Sequence, residues 1–150
     1  MTKPILGIFT AFAAVLLLQP GCATNRSVHE RDGGAIVARE LVKSTRSWDG
    51  ELLPAYPSGQ PEVTIKRILI PAGARLESHT HPVINAGVLV SGELTVVAVD
   101  GKTLRLKAGD PIVELVNKSH FGINEGQVPA EIIVVYAGTA GAPIAVTDPK

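Results

Sequence analysis

The sequence predicts an all-β fold, a small barrel or jelly roll, with a short N-terminal helix and an export segment ahead of it. Three observations carry the β assignment. Between residues 61 and 147, 22 of 87 residues are Val or Ile, the β-branched types that fit a pleated, half-buried surface. Glycines at 73, 92, 101, 109, 122, 126 and 138 divide that stretch into short apolar runs, as turns between strands would. Asp100-Gly101 stands between two such runs and is a tight-hairpin signal.

Composition bounds the rest. The chain has 150 residues, 14 Lys+Arg against 14 Asp+Glu, four His, one Cys and a 45% hydrophobic share. That length and apolar content suit one packed domain and exclude a disordered chain. The neutral balance argues against a basic nucleic-acid binder, and a single cysteine excludes a disulfide framework or a CxxC zinc site.

Residues 1 to 21 hold one charged side chain, Lys3, then an apolar run from Ile5 to Leu18 interrupted only by Gly7 and Thr10, then Gln19-Pro20-Gly21. Fourteen residues fall short of the roughly 20 a spanning helix needs, so the segment reads as a secretory signal. Leu18-Gln19-Pro20-Gly21-Cys22 resembles the bacterial lipoprotein signal, in which Cys22 is lipidated and becomes the mature N-terminus; Gln19 stands where that signal usually carries Leu. Gly21-Cys22-Ala23 equally fits a small-x-small site cleaved after Ala23, which would leave a soluble chain. The first alternative places the protein on the periplasmic face of a membrane, the second free in the periplasm or outside the cell. Removing residues 1 to 21 takes away Lys3 alone, leaving 13 Lys+Arg and 14 Asp+Glu, a net charge of −1.

Residues 22 to 31 are polar and read as a tether. Asp32 can cap a helix over Ala35 to Ser44, with Ile36, Val37 and Leu41 on one side and Arg39, Glu40 and Lys43 on the other. The stretch from Trp48 to Pro61, rich in Pro and Gly, reads as an ordered loop whose rings, Trp48 and Tyr56, cover one end of the domain. Residues 32 to 60 are thus expected to pack on a barrel of residues 61 to 147.

Within the barrel the predicted strands are Val63 to Ile70, Arg75 to His81, Ile84 to Val90, Leu94 to Val99, Lys102 to Leu106, Ile112 to Val116, His120 to Asn124 and Ala130 to Tyr136. His79 and His81 are two apart, which in a strand puts both rings on one face about 7 Å apart at Cα, close enough to converge on one ion. Glu77 shares that parity. His120 follows 39 residues later, so only tertiary folding can join it to the pair. Ser78 and Ser119 adjoin histidines in sequence but would point to the opposite faces, so neither makes a nucleophile pair. His29 lies in the tether.

Gly73-x5-His79-x-His81-x3-Asn85-x6-Gly92 resembles the first motif of the cupin family, matching at every fixed position except Asn85, where the family has Glu. Gly109-x5-Leu115-x-Asn117-x2-His120-x3-Asn124 is similar to the second motif, with Leu115 and Asn117 in place of Pro and Gly. The resemblance, over about residues 61 to 138, implies a double-stranded β-helix, the cupin jelly-roll barrel. It implies a divalent metal, Fe, Mn, Ni, Cu or Zn, held by His79, His81 and His120, with the fourth role falling on Asn85. An amide oxygen is neutral where a carboxylate is anionic, so the implied site is three imidazoles with an optional fourth contact. Glu77 and Glu114 are the candidates for a replacement carboxylate or an acid/base group, unless they are solvated rim residues.

The expected function is metal-dependent action on a small molecule in the barrel, oxygenase-like or Lewis-acid in kind. The alternative is a non-catalytic module that binds metal or a small ligand at the cell envelope. The resemblance leaves the oligomeric state open, with a homodimer one expectation because cupins often pair as dimers.

Overall fold

The computed structural model describes residues 36–149; the signal segment, Cys22, the tether and Asp32 lie outside them. Among the described residues every strand lies in the unit Ala38–Lys150. The strands are β1 (Pro61–Ile70), β2 (His79–Thr80), β3 (Ile84–Ser91), β4 (Glu93–Ala98), β5 (Thr103–Lys107), β6 (Pro111–Val113), β7 (His120–Ile123), β8 (Ala130–Thr139) and β9 (Val146–Thr147). They pair antiparallel into a four-stranded sheet, β1-β8-β3-β6, and a five-stranded sheet, β5-β4-β7-β2-β9.

Alternation builds the core, because successive strand side chains point to opposite faces. Along β8, Ala130, Ile132, Val134 and Tyr136 are buried while the residues between them are not. Along β4, Leu94, Val96 and Ala98 turn inward. Leu94 and Val96, with the β8 residues and Ile70, Leu89 and Ile112, form one apolar cluster drawn from both sheets, each large side chain contributing about 1.5–3 kcal/mol. The outer face of the four-stranded sheet carries apolar side chains as well, Val63 63%, Ile65 67% and Leu69 63% exposed along β1, with Arg67 between them paired to Glu131 of β8.

Two turns show why their residues are there. At the β4–β5 hairpin Gly101 takes φ +84, its N–H bonds the Ala98 carbonyl, and Asp100 Oδ1 accepts from the Lys102 N–H. At the β3–β4 turn Gly92 has φ +74, and a Cβ there would sit 2.7 Å from the Pro129 carbonyl oxygen. Asn117, at the position where the second motif has glycine, takes φ +56. Asn tolerates that left-handed conformation better than other side-chain-bearing residues, so the departure from the motif preserves the turn. The Asn117 N–H bonds the His81 carbonyl at 2.8 Å, tying this turn to the end of β2.

Several expectations are corrected. Ile36 to Ser44 carries no regular secondary structure; an isolated helix that short is marginal in water. Leu41 and Val42 instead border a groove on the outer sheet face with Val88, Ile133 and Val135. The predicted strand Arg75 to His81 shrinks to His79–Thr80, with Arg75 making a single bridge to Ile123. The predicted strand Ile112 to Val116 ends at Val113. β9, two residues without an apolar run, pairs with β2 and escaped prediction. Of the two loop rings, Trp48 packs against the core, whereas Tyr56 is 78% exposed.

Residues 46 to 52 are pinned to the barrel by charge. Lys118 Nζ lies 2.5 Å from Asp49, 3.0 Å from Glu51 and 2.9 Å from Asp100, and the Trp48 N–H bonds the Val113 carbonyl. Burial opposes the Asp49 charge, but Lys118 and neighbouring hydrogen bonds outweigh it and lower the carboxyl to about 2. The same carboxylates raise Lys118.

Candidate metal centre

β2 and β7 pair with His79 opposite His120, which is how residues 41 apart come together. His81, two residues past His79, is 3% exposed, and His120 is equally buried. Ring centroids lie 4.8 Å apart for His79 and His81, 4.7 Å for His79 and His120, and 5.1 Å for His81 and His120. The three histidines that the motifs singled out therefore form one cluster.

Their orientation is fixed from behind. The Nδ1–H of His79 donates to the Glu77 carbonyl at 2.8 Å, that of His81 to Ile144 at 2.7 Å, and that of His120 to Lys118 at 2.9 Å. A carbonyl only accepts, so each Nδ1 carries the hydrogen and each neutral ring has its lone pair on Nε2. Backbone carbonyls in this role typically hold metal-binding imidazoles in their tautomer and orientation. One ring nitrogen from each histidine lies within 4.8 Å of the others, so some point is no more than about 2.8 Å from all three, and small ring movements reach the 2.0–2.1 Å of metal–imidazole bonds.

Around the rings is an interior cavity of about 50 Å3, walled by Ile68, Ile70, Leu94, Val96, Ile132 and Val134, with Glu114 and Tyr136 as further polar members. Among the described residues lining it there is no Lys or Arg. Glu114 is 8% exposed, and its Oε2 lies 3.4 Å from His120 Nε2; neither atom has a hydrogen-bond partner. The side chain is therefore in the site, against the expectation of a solvated rim position. Glu77 is the reverse case: its side chain is exposed and lines a surface cleft with Arg75, Ser78 and Asp148, because the strand that would have carried it inward does not extend that far.

Asn85 is 1% exposed on the inward face of β3, its Nδ2 donating to the Val83 carbonyl at 3.3 Å and its Oδ1 unpartnered. Tyr136 pairs with Asn85 across β3 and β8, and its ring centroid is 5.4 Å from that of His81. Burial, then the Glu114 charge, push the Tyr136 hydroxyl up to about 12, so it stays a protonated donor. Burial lowers His81. For His120 burial acts the same way, but the Glu114 carboxylate outweighs it and the pKa is raised. Ser119 Oγ bonds the Asp148 carboxylate and is no nucleophile for this site.

Tyr136 was missed as a site residue, although its parity with Ile132 and Val134 in a predicted strand was available. The Ile144 carbonyl that orients His81 comes from 63 residues away and left no local signal. The donor set suits a divalent ion: three clustered imidazoles, each with its Nδ1 bonded to a carbonyl, one of them with a buried Nε2 that has no hydrogen-bond partner.

Comparison with known proteins agrees with this fold. Residues 66–136 match the family model described as Cupin domain. No curated protein matches the chain. Among solved structures, an oxalate decarboxylase of Lactobacillus farciminis in a formate complex is similar at TM-score 0.51 and 21% identity, over 57% of this chain and 26% of that one. The DMSP lyase DddQ of Ruegeria pomeroyi is similar at TM-score 0.51 and 20% identity, over 57% and 42%. A Klebsiella pneumoniae protein with a double-stranded β-helix domain is similar at TM-score 0.50 and 22% identity, over 75% and 100%. The matched parts of this chain thus span about a quarter of the decarboxylase and under half of the lyase. At these identities the likeness concerns the fold, and it agrees with the match of residues 66–136 to the Cupin domain model.

Proposed function

We propose that the domain binds one divalent cation through Nε2 of His79, His81 and His120 and presents it to a small molecule inside the barrel. The observation that carries the reading is the anchoring of all three Nδ1 atoms on backbone carbonyls, which leaves three lone pairs for one ion. Fe, Mn, Ni, Cu and Zn all accept imidazole. Bound there, such an ion would supply Lewis acidity or activate dioxygen.

The protein's own contribution is containment and orientation. The apolar wall keeps bulk water out and strengthens every charge contact inside. Tyr136, protonated throughout the ordinary pH range, offers a hydroxyl donor beside His81. With no Lys or Arg lining the cavity, an anionic ligand has the ion itself as its cationic partner.

The size of the cavity favours a second reading. About 50 Å3 accommodates only a few water-sized groups, which suits a non-catalytic module binding metal or a very small ligand. Oxygen uptake or substrate turnover by metal-loaded protein, lost in His79→Ala and His120→Ala, supports the enzyme; metal binding without turnover across candidate substrates supports the module.

Export belongs to the same proposal, with Cys22 lipidated or the chain cut after Ala23. Labelled fatty acid should enter the full chain and vanish in Cys22→Ser; label persisting in that variant rejects Cys22 as the anchor. We also propose that a second copy covers the exposed apolar row Val63, Ile65 and Leu69 on β1, since large exposed apolar patches mark interaction surfaces.

A further inference from the structure

The carboxylate absent at position 85 is present in the site, delivered from the neighbouring strand. β3 and β6 pair with Ala86 opposite Val113, Gly87 opposite Ile112 and Val88 opposite Pro111. One step further the same register sets Asn85 opposite Glu114, and the Glu114 N–H donates to the Asn85 carbonyl at 3.0 Å. Residues directly opposite in an antiparallel pair project to the same side. Asn85 projects inward with Gly87 and Leu89, so Glu114, two residues beyond buried Ile112, projects inward too.

Its surroundings favour a cation. A buried carboxylate carries a desolvation cost that pairing or metal coordination relieves. Glu114 Oε2 is buried and has no hydrogen-bond partner, and no Lys or Arg lines the cavity among the described residues. Its near neighbour is Nε2 of His120 at 3.4 Å, the nitrogen that the three-histidine reading assigns to the ion.

We propose that Glu114 is the carboxylate ligand of this centre, supplied from the end of β6 across the ladder from Asn85. The inference rests on the three-histidine reading. It makes the donor set three imidazoles and one hard anionic oxygen, which favours divalent Fe, Mn or Ni over a purely imidazole site. Asn85, shorter by one methylene and uncharged, leaves the interior with a single carboxylate where Glu at both positions would repel.

The test is titration of the metal-stripped full chain with Mn(II), read by calorimetry and electron paramagnetic resonance, on wild type, His81→Ala, Glu114→Gln and the double variant Asn85→Glu/Glu114→Gln. The expected pattern is binding in wild type, loss in His81→Ala, at least about a tenfold weaker affinity with an altered Mn(II) spectrum in Glu114→Gln, and recovery to within a few-fold in the double variant. Equal binding, or none, in wild type and His81→Ala overturns the three-histidine reading itself. Loss in His81→Ala with wild-type affinity in Glu114→Gln overturns the Glu114 assignment alone. Thermal melting of the metal-free proteins reads the ion pair with His120 separately from Mn(II) affinity, so that the two effects of Glu114→Gln are told apart. A lower melting temperature together with unaltered Mn(II) binding contradicts the proposal.

Discussion

At the scale of single residues, the proposed ion would compete with protons for the same lone pairs. Burial lowers His81 and keeps it neutral, whereas Glu114 outweighs burial at His120 and raises it. For a raised histidine, the stability of its charged form is fully present below the ordinary 6.5 and is lost as pH rises through the raised folded value. A divalent ion must displace that proton, so affinity should climb about tenfold per pH unit until the raised value is passed, then level off. A chelator-competition series from acid to neutral pH checks this; a flat profile would show that His120 carries no competing proton. The histidines were legible because their spacing survives folding as strand parity. Glu114 was legible only in part: charged residues are rarely buried without a partner, and the register that turns it inward is fixed by pairing between β3 and β6. The neutral amide at Asn85 was visible in the sequence, but the carboxylate facing it was not.

At the scale of elements, the turns and the loop of residues 46 to 52 set the histidine frame. The Lys118 carbonyl orients His120, while the Lys118 side chain holds Asp49, Glu51 and Asp100. A depressed carboxyl stabilises the fold above its ordinary value of 3.8, and that contribution is lost as pH falls through the folded value of about 2. Acid titration of Trp48 fluorescence should therefore show a loosening between those two values that Asp49→Asn lacks; identical curves would remove Asp49 from the anchor. Gly92→Ala, which would bring Cβ to 2.7 Å from the Pro129 carbonyl at φ +74, should cost about 1–3 kcal/mol in denaturant unfolding. Asn117→Gly, where φ is already positive, should stay within about 1 kcal/mol of wild type. Long strands such as β1 and β8 were legible from Val and Ile content. Strand β2 was read too long, as Arg75 to His81, and β9 was missed, because pairing partners rather than local composition set both.

At the scale of the whole molecule, two apolar surfaces have different fates. The inner faces of both sheets close on one another and on the histidine cluster. The outer face along β1 leaves Val63, Ile65 and Leu69 exposed, and pairing of two copies there would remove them from water. Light scattering of the full chain should give a dimer and of Ile65→Lys a monomer; a wild-type monomer at micromolar concentration would reject the pairing. Metal binding to the folded chain alone should also raise the melting temperature in proportion to the logarithm of free metal.

The central claim is that three motif histidines hold one ion, and elemental analysis tests it most directly. The purified wild-type chain and the His79→Ala/His81→Ala/His120→Ala variant, grown in the same metal-supplemented medium, should contain about one divalent ion per folded chain and none above background, respectively. Equal metal in the two preparations would contradict the assignment.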